Sequence, residues 1–400
     1  MNAPETEPRY GWVVVGACFM ALALIFGVSY GFAAFFEPFA GEFGASRAQV
    51  SLVFGVSGLL YFVLGAFAGM LADRFGPAPV TSAGMLCIAA ALAGGSLAQS
   101  MTQLTLAWGV GLGVGIALVY TPAIGCVQPW FTRRRGLAAG IASAGIGAGT
   151  LVLPLVAAAA IAAWQWRGAM QALALGVLVL GLASTLLLRR APAAQRVAGG
   201  QVRGVPLGVA LKSRSFLGLY LMCLLAAPAM FVPFAHLSAA ARDLGIGEAR
   251  AVGLVGLIGI GSLSGRFVIG ALADRWGRGP TLVAVIASLG LSMALWLAAP
   301  WAGGYAALAV FALWMGLSYG GAVSLMPALC MDLFGARAVS SIIGTLYTGA
   351  ALGNLGGPWV AGRVFDATGS YAPVVAGCGL LALAAAAAAL AAIRTPPPSP

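Results

Sequence analysis

Twelve long apolar runs divide this chain almost from end to end. Each exceeds the roughly 18 residues that a helix needs to cross a hydrocarbon core of about 30 Å. The runs cover residues 11–36, 48–72, 78–99, 101–128, 136–162, 165–188, 214–241, 248–273, 279–299, 303–331, 337–361 and 371–393. They are continuously apolar, whereas strands of a β-barrel alternate between polar and apolar residues. The sequence therefore predicts an all-α membrane protein with twelve transmembrane helices.

The composition supports this assignment. Of the 400 residues, 61% are hydrophobic and 8% are charged, and the mean hydropathy is +0.99, beyond the range of soluble domains. The N-terminus, MNAPETEPRY, begins acidic and leads into a run long enough to span, so we expect no cleaved signal peptide. The six cysteines lie in apolar runs without a Cys-x-x-Cys pair, which argues against a disulfide framework or a metal site.

Basic residues are distributed unevenly between the two sides of the predicted bundle. An even number of spans places both termini on one side, together with fifteen of the 21 Lys and Arg residues. Five lie on the other side: Arg47, Arg167, Arg242, Arg250 and Arg363. Such an excess marks the cytoplasmic face. We therefore predict cytoplasmic termini, and the net charge of +11 reflects orientation in the membrane rather than a nucleic-acid partner.

A polar interruption and an internal repeat divide the chain into halves. Residues 189–213, basic and rich in Gly, Ala and Pro, predict a cytoplasmic linker between six-helix bundles at 1–188 and 214–400. GMLADRFG at 69–76 and GALADRWG at 270–277 each close the second run of a half.

The repeated octets predict a gating motif at the cytoplasmic face. Its residues are Gly69, Asp73, Arg74 and Gly76 in the first copy and Gly270, Asp274, Arg275 and Gly277 in the second. The aspartates can cap the next helix or pair with arginines, and the glycines permit close helix approach. We expect these contacts to break when the halves move.

The octets, the linker and the twelve runs resemble those of the major facilitator superfamily. The resemblance covers the whole chain and implies two bundles that rock about a central substrate cavity. Four segments resemble its monocarboxylate transporter branch and the bacterial oxalate and formate exchangers: RYGWVVVGACFMALALIFGVSYGFAAFFEPF, VPFAHLSAAARDLGI, SGRFVIGALADRWG and GPWVAGRVFDATGSY.

Arg266 is the one charged residue that falls well inside a predicted span. It lies eight residues, about 12 Å, from Asp274 at the end of its run. A mid-span arginine costs about 2.5–3.5 kcal/mol on insertion and is a functional candidate by default. Its guanidinium could also snorkel to the headgroups or donate to nearby carbonyls. We interpret it as a clamp for an anion, and the resemblance implies a substrate role for this position.

The number of fixed charges favours a monoanion. Dicarboxylate exchangers that resemble this chain carry a lysine in the eleventh helix, where this chain has none; its only lysine is Lys212. The leading hypothesis is therefore transport of lactate-like or pyruvate-like monocarboxylates. Exchange of oxalate-type or formate-type anions, and export of other organic anions or drugs, are the alternatives.

Other polar side chains are candidates for orienting the substrate. Tyr120, Tyr319 and Tyr347 lie about 15–20 Å from the cytoplasmic helix ends, where they either bind substrate or pack as ordinary aromatics. The resemblance implies that Tyr120 faces Arg266. Asn354 is a further candidate. The sole histidine, His236, is either a hydrogen-bonded structural residue or a proton-sensitive cavity residue.

The route of proton coupling stays open at this point. Many proton-coupled proteins that resemble this chain carry an aspartate one turn before the clamp arginine and a lysine in the first helix. Here Ser262 replaces the first, and the segment SYGFAAFF lacks the second. A proton can travel through His236 or with the substrate, or the protein can be an exchanger. Glu37, followed by Pro38, is expected to mark the outer end of the first helix.

The remaining expectations concern activity, partners and location. No intramembrane carboxylate or His/Cys cluster supports an enzyme. The segment GVGLGVG imitates a dinucleotide fingerprint, but no strand precedes it, so we expect no cofactor. The expected partners are a small organic anion, a proton and the lipid bilayer, with the chain acting as a monomer. Its Ala, Gly and Arg bias suggests a bacterial cytoplasmic (inner) membrane.

Overall fold

Twelve long helices make up the computed structural model, which describes residues 9–131, 134–191, 204–335 and 337–395. In chain order they are α1 (Arg9–Phe43), α2 (Arg47–Phe75), α3 (Pro77–Gly95), α4 (Met101–Trp130), α5 (135–164), α6 (166–186), α7 (Arg214–Asp243), α8 (Glu248–Trp276), α9 (Arg278–Ala298), α10 (Tyr305–Phe334), α11 (Val339–Thr368) and α12 (Ala372–Arg394). A left-handed residue, Gln165 with φ 57°, separates α5 from α6. The predicted all-α fold is confirmed.

The helices have the length and composition of membrane spans. Within the described residues, ten segments are long and apolar enough to cross a membrane, and one of them, Leu137–Leu186, contains both α5 and α6. These ten segments include every long helix except α11, which carries several Ser and Thr residues and Asn354 within its length. The protein is therefore a multi-pass membrane protein.

The two largest departures from the predicted helix ends, seven residues each, are in α1 and α11. The first helix does not end near Glu37 but continues through Pro38 to Phe43, and α11 continues from the predicted end at 361 to Thr368. The predictions stopped where apolar character stopped. Helical hydrogen bonding continues through polar turns outside the hydrocarbon core, where hydropathy gives no signal.

The two ends of the bundle are distinguished by the position of the linker. We call the end at which α1 begins and α12 ends the linker end, and the opposite end the far end. A short helix, Leu207–Leu211, precedes α7 at the linker end, where the N–H of Val205 donates to the carbonyl of Phe334 at 2.9 Å. The linker residues 192–203, with Arg196 and Arg203, and also Arg133 lie outside the described residues.

Glycines allow the close helix crossings that the sequence predicted. Gly145 and Gly149 of α5 lie directly on the backbone of Phe19 and Ala23 in α1, where a Cβ atom would overlap the carbonyl oxygens. Between the first six and the last six helices, α2 packs on α11 and α5 packs on α8. These two contacts leave a central space bordered by α1, α4, α7 and α10, where the site lies.

Candidate functional site

A cavity lies among helices from both halves of the chain. Four tyrosines line it: Tyr61, Tyr120, Tyr319 and Tyr347. Almost all of its other lining residues are apolar. Tyr120, Tyr319 and Tyr347 were predicted at this depth, and the structure brings all three to one cavity.

Arg266 lies beside these tyrosines, on the inner face of α8. Its side chain is only 7% exposed, whereas the next two residues, Phe267 and Val268, are about half exposed. Gly265 allows this face of α8 to lie directly on the backbone of Leu317 in α10. The guanidinium therefore does not reach toward the headgroups.

The charge of Arg266 has no counterion in the described part of the chain. Its Nε and Nη2 atoms are buried without a hydrogen-bond partner among the described residues. Its electrostatic neighbours are the phenols of Tyr319, Tyr120, Tyr30 and Tyr347. Arg266 does not itself line the cavity surface, but three of these four tyrosines do. A buried, unsatisfied guanidinium is costly, and an anionic ligand is the group that would compensate it.

Tyr30 closes the site toward the far end and was missed by the sequence analysis. Its hydroxyl bonds the hydroxyl of Tyr319 at 2.8 Å, and its ring stacks on Phe234 with centroids 3.9 Å apart. These contacts connect α1 with α7 and α10. Tyr61 was also missed, although it lies fourteen residues from the linker end of α2, about 21 Å, a depth like that of the tyrosines that were chosen.

His236 lies in a hydrogen-bond network outside the cavity, toward the far end. Its Nδ1 atom contacts the hydroxyl of Tyr371 at 2.9 Å. Its Nε2 atom contacts Ser51 Oγ at 2.9 Å and the carbonyl oxygen of Pro358 at 2.8 Å. The network joins α2 of the first half to α7, α11 and the start of α12.

Asn354 is likewise not brought into the cavity. Its side chain is buried in the contact between α2 and α11, directly against Gly58. Neither its oxygen nor its nitrogen has a hydrogen-bond partner among the described residues. It therefore lies on the interface between the halves.

The far end carries a polar cluster that the sequence analysis did not assemble. Arg47 forms an ion pair with Asp243 at 2.7 Å, donates to the Tyr371 hydroxyl at 2.7 Å, and lies 3.8 Å from the ring centre of Phe365. The backbone N–H groups of Arg47 and Ala48 donate to the carboxylate of Asp366, each at 3.1 Å. Every one of these contacts joins α2 to the second half of the chain. The far end is therefore closed.

The repeated octets lie at the linker end and share one backbone conformation at their final glycine. Gly76 and Gly277 have φ of 100° and 85°, a region that favours glycine, and each ends one helix while starting the next. The N–H of each donates back to the carbonyl of an octet alanine, at 2.8 and 2.9 Å. This geometry explains the final glycine of both octets.

The other octet residues make fewer contacts than expected. Asp73 and Asp274 are exposed, neither caps the following helix, and neither carboxylate forms an ion pair within the described ranges. Arg74 and Arg275 are also exposed. Gly69 lies against Thr121 of α4, but no described residue lies within 4 Å of a Cβ position at Gly270. The expected caps are therefore absent, because a backbone turn at glycine makes the connection instead.

Comparison with known proteins identifies the family. Residues 18–358 match the family model of the Major Facilitator Superfamily. The chain belongs to the Major Facilitator Superfamily. The protein is thus a transporter, and the resemblance of its octets, linker and helices to this superfamily is confirmed.

Curated relatives within the superfamily are monocarboxylate transporters. Monocarboxylate transporter 13 of Bos taurus is 30% identical over 386 residues, which cover 95% of this chain and 89% of that protein. Monocarboxylate transporter 3 of Rattus norvegicus is 30% identical over 92% of this chain and 77% of its own length. The predicted likeness to this branch is therefore confirmed.

Solved structures show the same fold. A bacterial homologue of the human lysosomal transporter Spinster, in an inward-facing and occupied conformation, superimposes with a TM-score of 0.76. It is 17% identical, and the match covers 98% of each chain. The inward-facing, unoccupied conformation gives a TM-score of 0.70.

Proposed function

We propose that the protein is a secondary active transporter of small monocarboxylates such as lactate or pyruvate. The main supporting observation is that the guanidinium of Arg266 is buried without a counterion in the described chain. It lies next to tyrosines that line a cavity. A carboxylate can accept two parallel N–H bonds from a guanidinium, and the hydroxyls of Tyr120, Tyr319 and Tyr347 can complete its hydrogen bonding. The names of the curated relatives support the same substrate class.

The asymmetry between the two ends supports alternating access. The far end is closed by Arg47, Asp243 and Asp366, whereas residues that line the cavity, such as Leu282, lie near the linker end. The excess of basic residues at the linker end favours a cytoplasmic location for it. In this proposal the structure faces the cytoplasm, and two bundles, 1–188 and 214–400, rock about the site in a monomer. The membrane is a bacterial inner membrane with both termini cytoplasmic.

Proton coupling, in this proposal, acts through His236. The carbonyl of Pro358 can only accept, so Nε2 carries the hydrogen and Nδ1 accepts from the hydroxyl of Tyr371. Protonation of Nδ1 removes that acceptor and adds positive charge near Arg47, with Asp366 the nearby carboxylate. The Tyr371 bond lost in this way lies within the second half, but the new positive charge repels Arg47 of the first half, which favours opening on that side.

The test is uptake of radiolabelled lactate into proteoliposomes, with and without an inwardly directed proton gradient. Arg266→Ala should abolish uptake, and Arg266→Lys should restore only part of it, because an ammonium lacks the fork geometry. Arg250→Ala is the matched control, since it removes an exposed charge from the other end of the same helix. Full uptake by Arg266→Ala would overturn the proposal.

Anion exchange is the second candidate, and it is favoured by one observation. Ser262 occupies the position one turn before Arg266, so no acidic group lies next to the arginine on α8. Uptake that ignores the proton gradient and requires an anion inside the vesicle would establish exchange instead of proton symport.

A further inference from the structure

The cavity has a second part that the carboxylate site does not use. This part, which we call the side chamber, is lined from three helices of the second half by Met222, Cys223, Leu282, Ile286, Ala322 and Met326. All six belong to one apolar cluster, separate from the cluster that contains Tyr61 and Tyr319. Among the described residues, the side chamber therefore offers a ligand dispersion contacts and no charged group.

The side chamber extends the cavity along the membrane normal. Tyr319 lies fifteen residues from the linker end of α10, about 22 Å, whereas Leu282 lies four residues from the linker end of α9, about 6 Å. Tyr319 and Leu282, which lies at the linker-end wall of the side chamber, are thus separated by about 16 Å along the helices. A three-carbon acid held at Arg266 would leave this space unfilled.

The chemistry of the lining defines what could fill it. Met222 and Met326 have unbranched, flexible side chains that adapt to ligands of different shape. Cys223 is buried and apolar in its surroundings, and small Ala322 leaves room on α10. A flexible hydrocarbon chain fits this surface, while a second charged group would be desolvated there without a partner.

We propose that the protein binds medium-chain aliphatic monocarboxylates, with the carboxylate at Arg266 and the hydrocarbon tail in the side chamber. This inference rests on the proposed function and extends it from the polar end of the substrate to the apolar end. Each methylene placed in the side chamber adds buried apolar surface. Affinity therefore rises by about fourfold per methylene until the side chamber is full.

The test is calorimetric titration of the protein in nanodiscs with acetate, propionate, butyrate, hexanoate and octanoate, with empty nanodiscs subtracted. We expect Kd to fall steadily along the series up to hexanoate. Ala322→Phe, which fills the side chamber, should remove the dependence on chain length. Met222→Phe is a second filling variant in case the first does not fold. Leu221→Phe is the matched control, because Leu221 is 39% exposed on the outer surface of the same helix as Met222.

The outcomes separate this inference from the proposed function. Arg266-dependent binding of propionate with no gain for hexanoate would overturn the side-chamber proposal and leave the carboxylate site standing. A gain that persists in both filling variants would also overturn it. Equal binding of the whole series by wild type and by Arg266→Ala would overturn both proposals.

Discussion

Arg47 of α2 and Asp243 of α7 form a two-point ion pair across the far end, with Nη1 to Oδ2 and Nη2 to Oδ1 both at 2.7 Å. The pair joins the first six helices to the last six, and it must separate before the far end can open. The planar guanidinium matches the carboxylate at two points, which makes this contact more specific than a single-point ion pair.

Removing the carboxylate charge should loosen the far end. For Asp243→Asn we expect the closed state to lose about 1 kcal/mol, because the pair is only partly buried. Hydrogen exchange at the start of α2 and the end of α7 should become faster. Glu42→Gln is the control, since Glu42 pairs with Arg167 at the same end but within the first half. Equal acceleration in both variants would show that the Asp243 pair does not hold the halves together.

Asp366 caps the start of α2 from the other half of the chain, and its loss should have a directional effect. Asp366→Ala should cost about 1 kcal/mol and increase the open population at the far end. Ser46→Ala removes a cap of the same helix that lies within the first half, so it should lower stability without opening.

Spin labels attached at positions Gly41 and Gly247, in a cysteine-free background, would measure whether the far end opens in Asp366→Ala and in Ser46→Ala. Both positions lie at the far end, on opposite halves, and neither has a neighbour within 4 Å of a Cβ position in the described part of the chain. We expect a longer distance population in Asp366→Ala only. A longer distance in Ser46→Ala as well would mean that general weakening of α2, rather than the bridge between halves, controls opening.

An acidic residue next to the clamp arginine should compete with the substrate. Ser262 is buried one turn before Arg266, and its hydroxyl has no partner among the described residues. In Ser262→Asp, the ionised carboxylate neutralises Arg266, so we expect lactate affinity to fall at least about tenfold at neutral pH. Affinity should recover as pH falls, because protonation of the new aspartate releases the guanidinium.

Lactate titration across pH measures this effect. Ser262→Asn has a similar size without the charge and should show little pH dependence. Unchanged affinity of Ser262→Asp at every pH would place the substrate carboxylate away from Arg266.

The crossing of α1 and α5 should tolerate no added methyl group at its centre. In Gly149→Ala the new Cβ overlaps the Ala23 carbonyl, so we expect a loss of about 1–3 kcal/mol from overpacking, seen as a lower Tm in detergent. Gly140→Ala, on the same helix, has no neighbour within 4 Å among the described residues and should be neutral or stabilising by about 0.5–1 kcal/mol. Equal Tm values for the two variants would contradict the close packing of α1 on α5 at Gly149.

The sequence by itself determined the twelve helices, the repeat at Gly76 and Gly277, and the depth of Arg266. These properties follow from local hydropathy, local backbone preference and helical rise, all of which can be read along the chain. Depth also selected Tyr120, Tyr319 and Tyr347, and the same rule would have selected Tyr61.

Only the tertiary structure decided which side chains share a space. It placed His236 in the far-end network and Asn354 against Gly58, and it brought Arg47 to Asp243, almost 200 residues away in sequence. The physical reason is that side-chain direction depends on the rotation of each helix about its axis. That rotation is set by packing against helices that are distant in sequence, and in spans that are apolar all round the sequence carries little signal for it.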